Sequence, residues 1–175
     1  MSTPSWPRRT SADTSGEVQR ILGTHEANYP TVPDVMKVLA NSDGVFHPWM
    51  LLAGGLIRES AVPPRMREII ILRLAGDLNC TYMRMEHVPI AEGAGASAAE
   101  IDYAAKKGPA PDSLSAVERE AVDHAADLVG GGTLPAELYD ALTQAWGPSG
   151  PMDYVFTCGF WGGMMPLVLA AVNLH

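Results

Sequence analysis

A cysteine and a histidine lie seven positions apart in residues 79–87, "NCTYMRMEH". An α-helix turns roughly 100° per residue. A helix with Asn79 as its N-cap therefore places Cys80, Met83 and His87 on one face, one turn apart from each other. These residue types suggest either a working thiol site, a damaged thiol site or ordinary core packing.

The distance between the two reactive groups limits this chemistry. Seven helical residues separate Cys80 from His87 by roughly 10 Å along the axis, whereas a base acts over about 3 Å or through one water. Met83 fills the gap and carries no transferable proton. His87 cannot activate Cys80 from within the same helix, and a structural role for either residue stays open.

Glu68 offers His87 a different partner. It lies about as far before the turn "DLN" as His87 lies after it, so an antiparallel helical hairpin brings the two side chains level. A partly buried Glu–His pair holds one imidazole tautomer and provides an acid–base group near neutral pH. The alternative is that Glu68 pairs with Arg65 or Arg73 at the surface.

The elements that must position these residues are predicted to be helices. Nearly every segment has a helical apolar period, with prolines at helix starts and two Ser-x-x-Glu boxes, Ser97 with Glu100 and Ser115 with Glu118. We expect an all-α fold of about eight helices. Residues 1–16 are expected to form a flexible arm and residues 17–175 a single helical domain. The uncharged run at 155–172 is expected to be a buried central helix rather than a membrane span.

Composition and charge limit the kinds of binding partner and the cellular compartment that we expect. The 175-residue chain has a net charge of −8 and a pI near 5.0, and it has no Lys/Arg stripe, which argues against nucleic acid. Two cysteines and no apolar leader segment indicate a reducing, cytoplasmic compartment and no membrane. The spacing of His47, His87 and His124 does not suit a metal, and no cofactor is expected.

The run "VPPRMREIIILRLAGDLNCTYMRMEHVPIAEGAGAS" resembles the carboxymuconolactone decarboxylase and alkylhydroperoxidase D family. The likeness extends from about residue 30 to residue 174. The resemblance implies an all-helical, alkylhydroperoxidase D-like bundle and a homo-oligomer, either a dimer, a trimer or a hexamer.

The resemblance also implies roles for individual residues. In the peroxidase branch, a Glu, a Cys-x-x-Cys motif and a His form a relay, and Glu68, Cys80 and His87 match it. Met83 stands where the second cysteine belongs, so that cysteine is missing. Relatives often carry an aromatic–His pair in the last helix, where this chain has Trp161 followed by Gly162.

The sequence favours a cofactor-free acid–base enzyme of the decarboxylase, isomerase or lyase type, acting on a small organic acid, lactone or related carbonyl compound. The expected catalytic residues are His87 as general acid/base, Glu68 as its orienting partner, and Cys80, which lines the pocket or donates a weak hydrogen bond. The expected pocket walls are Met83, Tyr82, Phe160, Trp161 and Met164, and space at Gly162 and Gly163 suggests a bulky substrate. The alternatives are a one-cysteine thiol peroxidase and a non-catalytic binding or scaffold protein.

Overall fold

The computed structural model describes residues 5–174. Within this range the chain is all-helical, which confirms the predicted fold class. There are nine helices, and the described residues contain no strand. The helices are α1 (Gly16–Asn28), α2 (Asp34–Leu39), α3 (Asp43–Arg58), α4 (Pro64–Asp77), α5 (Thr81–Gly93), α6 (Ala98–Ala104), α7 (Ala116–Val129), α8 (Ala136–Trp146) and α9 (Gly150–Ala171).

Local sequence signals explain several helix starts. The hydroxyl of Ser97 accepts from the Glu100 N–H, and the Glu100 carboxylate accepts from the Ser97 N–H, so the predicted capping box forms. Ser115 and Glu118 make the same pair of bonds at the start of α7. Pro64 occupies the first turn of α4, where its missing N–H costs nothing.

The described residues fall into two compact units. The first comprises residues 5–55 and 169–174. Its apolar cluster comes from α1, α2, α3 and the segment before α2: Val18, Ile21, Leu22, Val32, Met36, Ala40 and Phe46. Residues ahead of α1 also bond within this unit, since the Arg9 N–H donates to the Lys37 carbonyl at 3.0 Å and the Ser11 N–H to Glu26 at 2.9 Å. The proposed boundary at residue 16 stays a prediction.

The second unit comprises residues 56–168 and is built around α4. Met66, Ile69, Ile70 and Ile71 are fully buried, because α4 packs against α5, α6, α7 and α9 on several sides. Arg67, Glu68 and Arg73 are buried as well, so α4 is covered nearly all round, as expected of a central helix. The isoleucine run is therefore helical, and α4 places Glu68 inside the unit.

The last helix, α9, is less buried than its composition predicted. Phe160, Trp161 and Gly162 face inward, but Phe156 and Leu167 are 51% and 72% exposed. The expectation of a buried helix holds for one face of α9 only, because neighbouring helices leave the opposite face exposed. Among the described residues α9 alone is long and apolar enough to cross a membrane, which by itself is weak evidence for a span.

Candidate acid–base site

Glu68 and His87 meet across the α4–α5 hairpin. Glu68 Oε2 lies 2.7 Å from His87 Nδ1, as the predicted hairpin requires. The Glu68 side chain is 3% exposed, and that of His87 is 17% exposed. An ionised carboxylate only accepts hydrogen bonds, so Nδ1 carries the proton and Nε2 keeps its lone pair. A neutral ring in this tautomer has its free lone pair on Nε2.

Arg67 completes the buried end of this pair. Its Nε donates to Glu68 Oε1 at 3.0 Å, and its Nη1 donates to the Ile57 carbonyl at 2.8 Å. The guanidinium balances the charge of a carboxylate that is almost fully removed from water. Glu68 therefore pairs with neither Arg65 nor Arg73, and both of its oxygens are engaged.

Two aromatic rings lie beside His87. The indole of Trp161 meets the imidazole edge-on, with ring centroids 6.3 Å apart and planes at 87°. Phe160 packs against Trp161 at 4.8 Å between centroids. The π-helical segment Gly159–Met164 carries both rings, and π-helical turns often occur at functional sites. The environment of the imidazole is apolar on this side.

Cys80 does not share the helical face of His87. Asn79 adopts a left-handed conformation (φ 52°) and Cys80 an extended one, so Cys80 is the N-cap and α5 begins at Thr81. The prediction of Asn79 as the cap and of one common face was wrong, because this turn uses two non-helical residues. Cys80 is 5% exposed and lines a cavity of about 350 Å³ whose lining includes neither Glu68 nor His87.

The other expected pocket residues divide by burial. Met83 is 2% exposed and belongs to the core, Tyr82 is half-buried, and Met164 is 43% exposed. Met83 therefore serves core packing. The assignment of Met83, Tyr82, Phe160, Trp161 and Met164 to substrate binding stays a prediction.

The glycines of the last helix leave no space for a bulky substrate at position 162. A Cβ on Gly162 would lie 2.5 Å from Val129 Cγ2 and 3.1 Å from Leu74 Cδ2, which is closer than atoms pack. Gly162 is buried because α9 approaches α4 and α7 there. The expected enlargement at this position was wrong, and Gly163 is exposed rather than part of an internal space.

The described residues thus form an all-helical fold that pairs a buried glutamate with a histidine across a helical hairpin. Residues 43–127 match the model of the carboxymuconolactone decarboxylase family, so this segment, just under half of the chain, is similar to that family. The match includes Glu68, Cys80 and His87 but not the aromatic residues of α9. It supports a broad decarboxylase- or alkylhydroperoxidase-like function. A search of curated proteins gave no match.

Sequence reasoning missed Arg67 and Arg84. Arg67 is adjacent to Glu68 and stands in a buried stretch, which was the available signal that it needs a charged partner. Arg84 lines the same cavity as Cys80 and lies four positions after it. No group of three His, Cys, Asp or Glu side chains within residues 5–174 is arranged to hold a metal ion.

Proposed function

We propose that this chain is a cofactor-free acid–base enzyme that acts next to a carbonyl group of a small organic acid, lactone or related compound. The observation that carries the proposal is the 2.7 Å contact between Glu68 Oε2 and His87 Nδ1. It supports His87 as the general acid/base and Glu68 as its positioning residue. The reaction class is a decarboxylase, isomerase or lyase.

The chemistry needs one group that takes and returns a proton. In an isomerisation, Nε2 of His87 removes a proton from the carbon beside the carbonyl, and the electron pair moves onto the carbonyl oxygen. The same nitrogen then returns the proton at another carbon. In a decarboxylation, protonated His87 delivers a proton to the carbon that loses CO₂. Glu68 stabilises the imidazolium in both cases, and its buried bond with Arg67 keeps it in place.

The test incubates the protein with a panel of small β-keto acids, γ-lactones and unsaturated acids. NMR measures the rate at which each compound loses CO₂ or moves a double bond. We expect His87→Gln to lose about 10²–10⁴-fold in rate and Cys80→Ser to keep the wild-type rate. His124→Gln is the matched control, because His124 lies on α7 and bonds to the Thr133 carbonyl. A His87→Gln variant with the wild-type rate contradicts the proposal.

A one-cysteine thiol peroxidase is the second candidate, and it rests on Cys80 lining a cavity together with Arg84. The thiolate would attack a hydroperoxide, taking one oxygen to become a sulfenic acid and releasing an alcohol. One external thiol would condense with the sulfenic acid to a mixed disulfide and release water, and a second would displace Cys80 as a thiol and leave an external disulfide. Peroxide consumption that is abolished in Cys80→Ser and kept in His87→Gln selects this candidate. Inactivity in both assays, with no ligand bound, selects a scaffold protein.

We also propose that the chain is a homo-oligomer that associates through the exposed apolar face of α9. The face contains residues spaced three or four positions apart: Met152, Phe156, Gly159, Gly163 and Leu167. A Cβ on Gly159 or Gly163 would meet no atom within 4 Å beyond the backbone of its own helix. Packing inside the chain therefore does not require these glycines, whereas close approach of a second helix uses them.

Analytical ultracentrifugation tests this association. We expect a dimer, trimer or hexamer for the wild type and a monomer for Phe156→Glu. Met85→Glu is the control, because Met85 is 72% exposed on α5. A monomeric wild type that binds neutral lipid vesicles through Phe156 contradicts the proposal and assigns the face to a membrane.

Both cysteines are free thiols, which supports the proposal of a cytoplasmic location.

A further inference from the structure

Two neighbouring cavities lie along the line where α5 meets α6. The first, of about 350 Å³, is bounded by the end of α4, the start of α5 and Ala105 after α6, and it includes Asn79, Cys80, Thr81 and Arg84. The second, of about 210 Å³, includes Leu72, Arg84, Val88, Ile101, Asp102 and Lys107. Arg84 and Ala105 line both cavities, so they form one continuous groove. Neither Glu68 nor His87 lines it.

The two ends of this groove differ in chemistry. The polar end offers the guanidinium of Arg84, the amide of Asn79 and the hydroxyl of Thr81, and no carboxylate lines it. The other end has apolar walls from Leu72, Val88 and Ile101. Asp102 and Lys107 both line this second end, and their charges offset each other.

The polar side chains that line the first cavity do not bond to other side chains in the described part of the chain. Among residues 5–174, the Arg84 side chain makes no ion pair or hydrogen bond, and neither do those of Asn79 and Thr81. By contrast, nearby Lys106 pairs with Asp77. The exposed guanidinium of Arg84 makes no ion pair with Asp102, the carboxylate at the other end of the groove, and in a chain of net charge −8 such a cation favours an anionic ligand. A guanidinium also matches a carboxylate in geometry, through two parallel N–H donors.

We propose that this groove binds an organic carboxylate with a short apolar tail, at a site separate from the Glu68–His87 pair. The carboxylate lies against Arg84, Asn79 and Thr81, and the tail lies between Val88 and Ile101 over Leu72. The apolar walls favour such a ligand over an inorganic anion, because they add contact area that phosphate cannot use. Cys80 forms part of the wall and reports occupancy of the site.

The test uses hexanoate, with hexan-1-ol and inorganic phosphate as comparison probes, on the full-length chain. Amide NMR shifts of residues 79–84 and 101–107, and the rate of Cys80 alkylation by iodoacetamide, are measured against probe concentration. We expect saturable shifts with hexanoate, together with slower alkylation of Cys80. Hexanoate should bind at least about tenfold more tightly than hexan-1-ol, since the alcohol lacks the charge that Arg84 recognises.

Variants separate recognition from general effects. Arg84→Gln should weaken hexanoate binding about tenfold or more, and Arg84→Lys should restore part of it. Arg119→Gln on α7 removes the same charge away from the groove and should leave binding unchanged. His87→Gln should also bind hexanoate normally, so this proposal and the acid–base proposal fail separately. Equal affinity for hexanoate and phosphate, or unchanged hexanoate affinity in Arg84→Gln, overturns the inference.

Discussion

His87 Nδ1 lies 2.7 Å from Glu68 Oε2, and the two residues come from opposite arms of the α4–α5 hairpin. The carboxylate is deeply buried while the imidazole remains partly open. Because Nδ1 is occupied by this bond, the open nitrogen is Nε2. This relationship sets the tautomer of the neutral histidine and leaves Nε2 outside the bond with Glu68.

The ring tautomer of His87 is the first prediction. Nitrogen NMR of the neutral imidazole should show the proton on Nδ1, since Glu68 only accepts. His124 provides an internal comparison, because its Nε2 lies 3.1 Å from the Thr133 carbonyl and should carry the proton instead. A neutral His87 ring protonated on Nε2 contradicts the orientation described here.

The thiol of Cys158 should be unreactive in the folded chain. Burial raises the pKa of Cys158 to about 12, even though a hydrogen bond with Tyr154 acts in the opposite direction. At pH 8 only about one thiol in ten thousand is then a thiolate, the form that reacts. In Cys80→Ser, the remaining thiol should resist iodoacetamide until denaturant is added. Rapid labelling of the native variant at pH 8 contradicts this expectation.

Glu100 should make the fold sensitive to acid. Burial alone would raise the pKa of Glu100, but hydrogen bonds from Ser97 and Ser113 and the charge of Arg65 together lower it below the usual 4.5. The folded state therefore binds fewer protons than the unfolded state in this range. The resulting stability is present above about pH 4.5 and is lost as the pH falls through the lowered folded-state value.

Glu100→Gln tests this linkage by urea unfolding at several pH values. At pH 7 the free energy of unfolding should fall by about 1–3 kcal/mol, because the bonds from Arg65 and Ser113 lose their charged acceptor. Below pH 4.5 the difference from the wild type should shrink. The exposed Glu137→Gln on α8 should change little. A constant difference from pH 7 to pH 3 would contradict the assigned shift.

Gly162 should resist substitution. An alanine at this position places its Cβ against Val129 and Leu74, and overpacking of this kind costs about 1–3 kcal/mol of unfolding free energy. A Cβ added to Gly55 in α3 would meet no atom within 4 Å beyond its own helix backbone. Gly55→Ala should therefore be neutral or slightly stabilising. Thermal unfolding of the two variants makes the comparison, and equal stability contradicts close packing at Gly162.

Local patterns predicted the fold because they act within a few residues. Apolar periods, proline starts and the two Ser-x-x-Glu boxes identified the helices, and the symmetric placement of Glu68 and His87 about one turn predicted their contact. These features need no knowledge of the tertiary packing. The family segment at residues 43–127 agrees with them.

Other parts of the site depended on information that is not local. The left-handed conformation of Asn79 moved Cys80 out of the helix, and helical spacing gave no sign of it. The tight packing around Gly162 depends on Val129 and Leu74, which are distant in sequence. The groove that Arg84 lines was not predictable either, because it depends on how α5 and α6 lie relative to each other.

Proton exchange with solvent tests the central claim most directly. Small carbonyl acids and lactones are incubated with the protein in D₂O, and NMR follows deuterium incorporation at the carbon beside the carbonyl. We predict catalysed incorporation in the wild type and in Cys80→Ser, and a loss of about 10²-fold or more in His87→Gln. Incorporation that persists in His87→Gln, or that disappears in Cys80→Ser, would contradict His87 as the base.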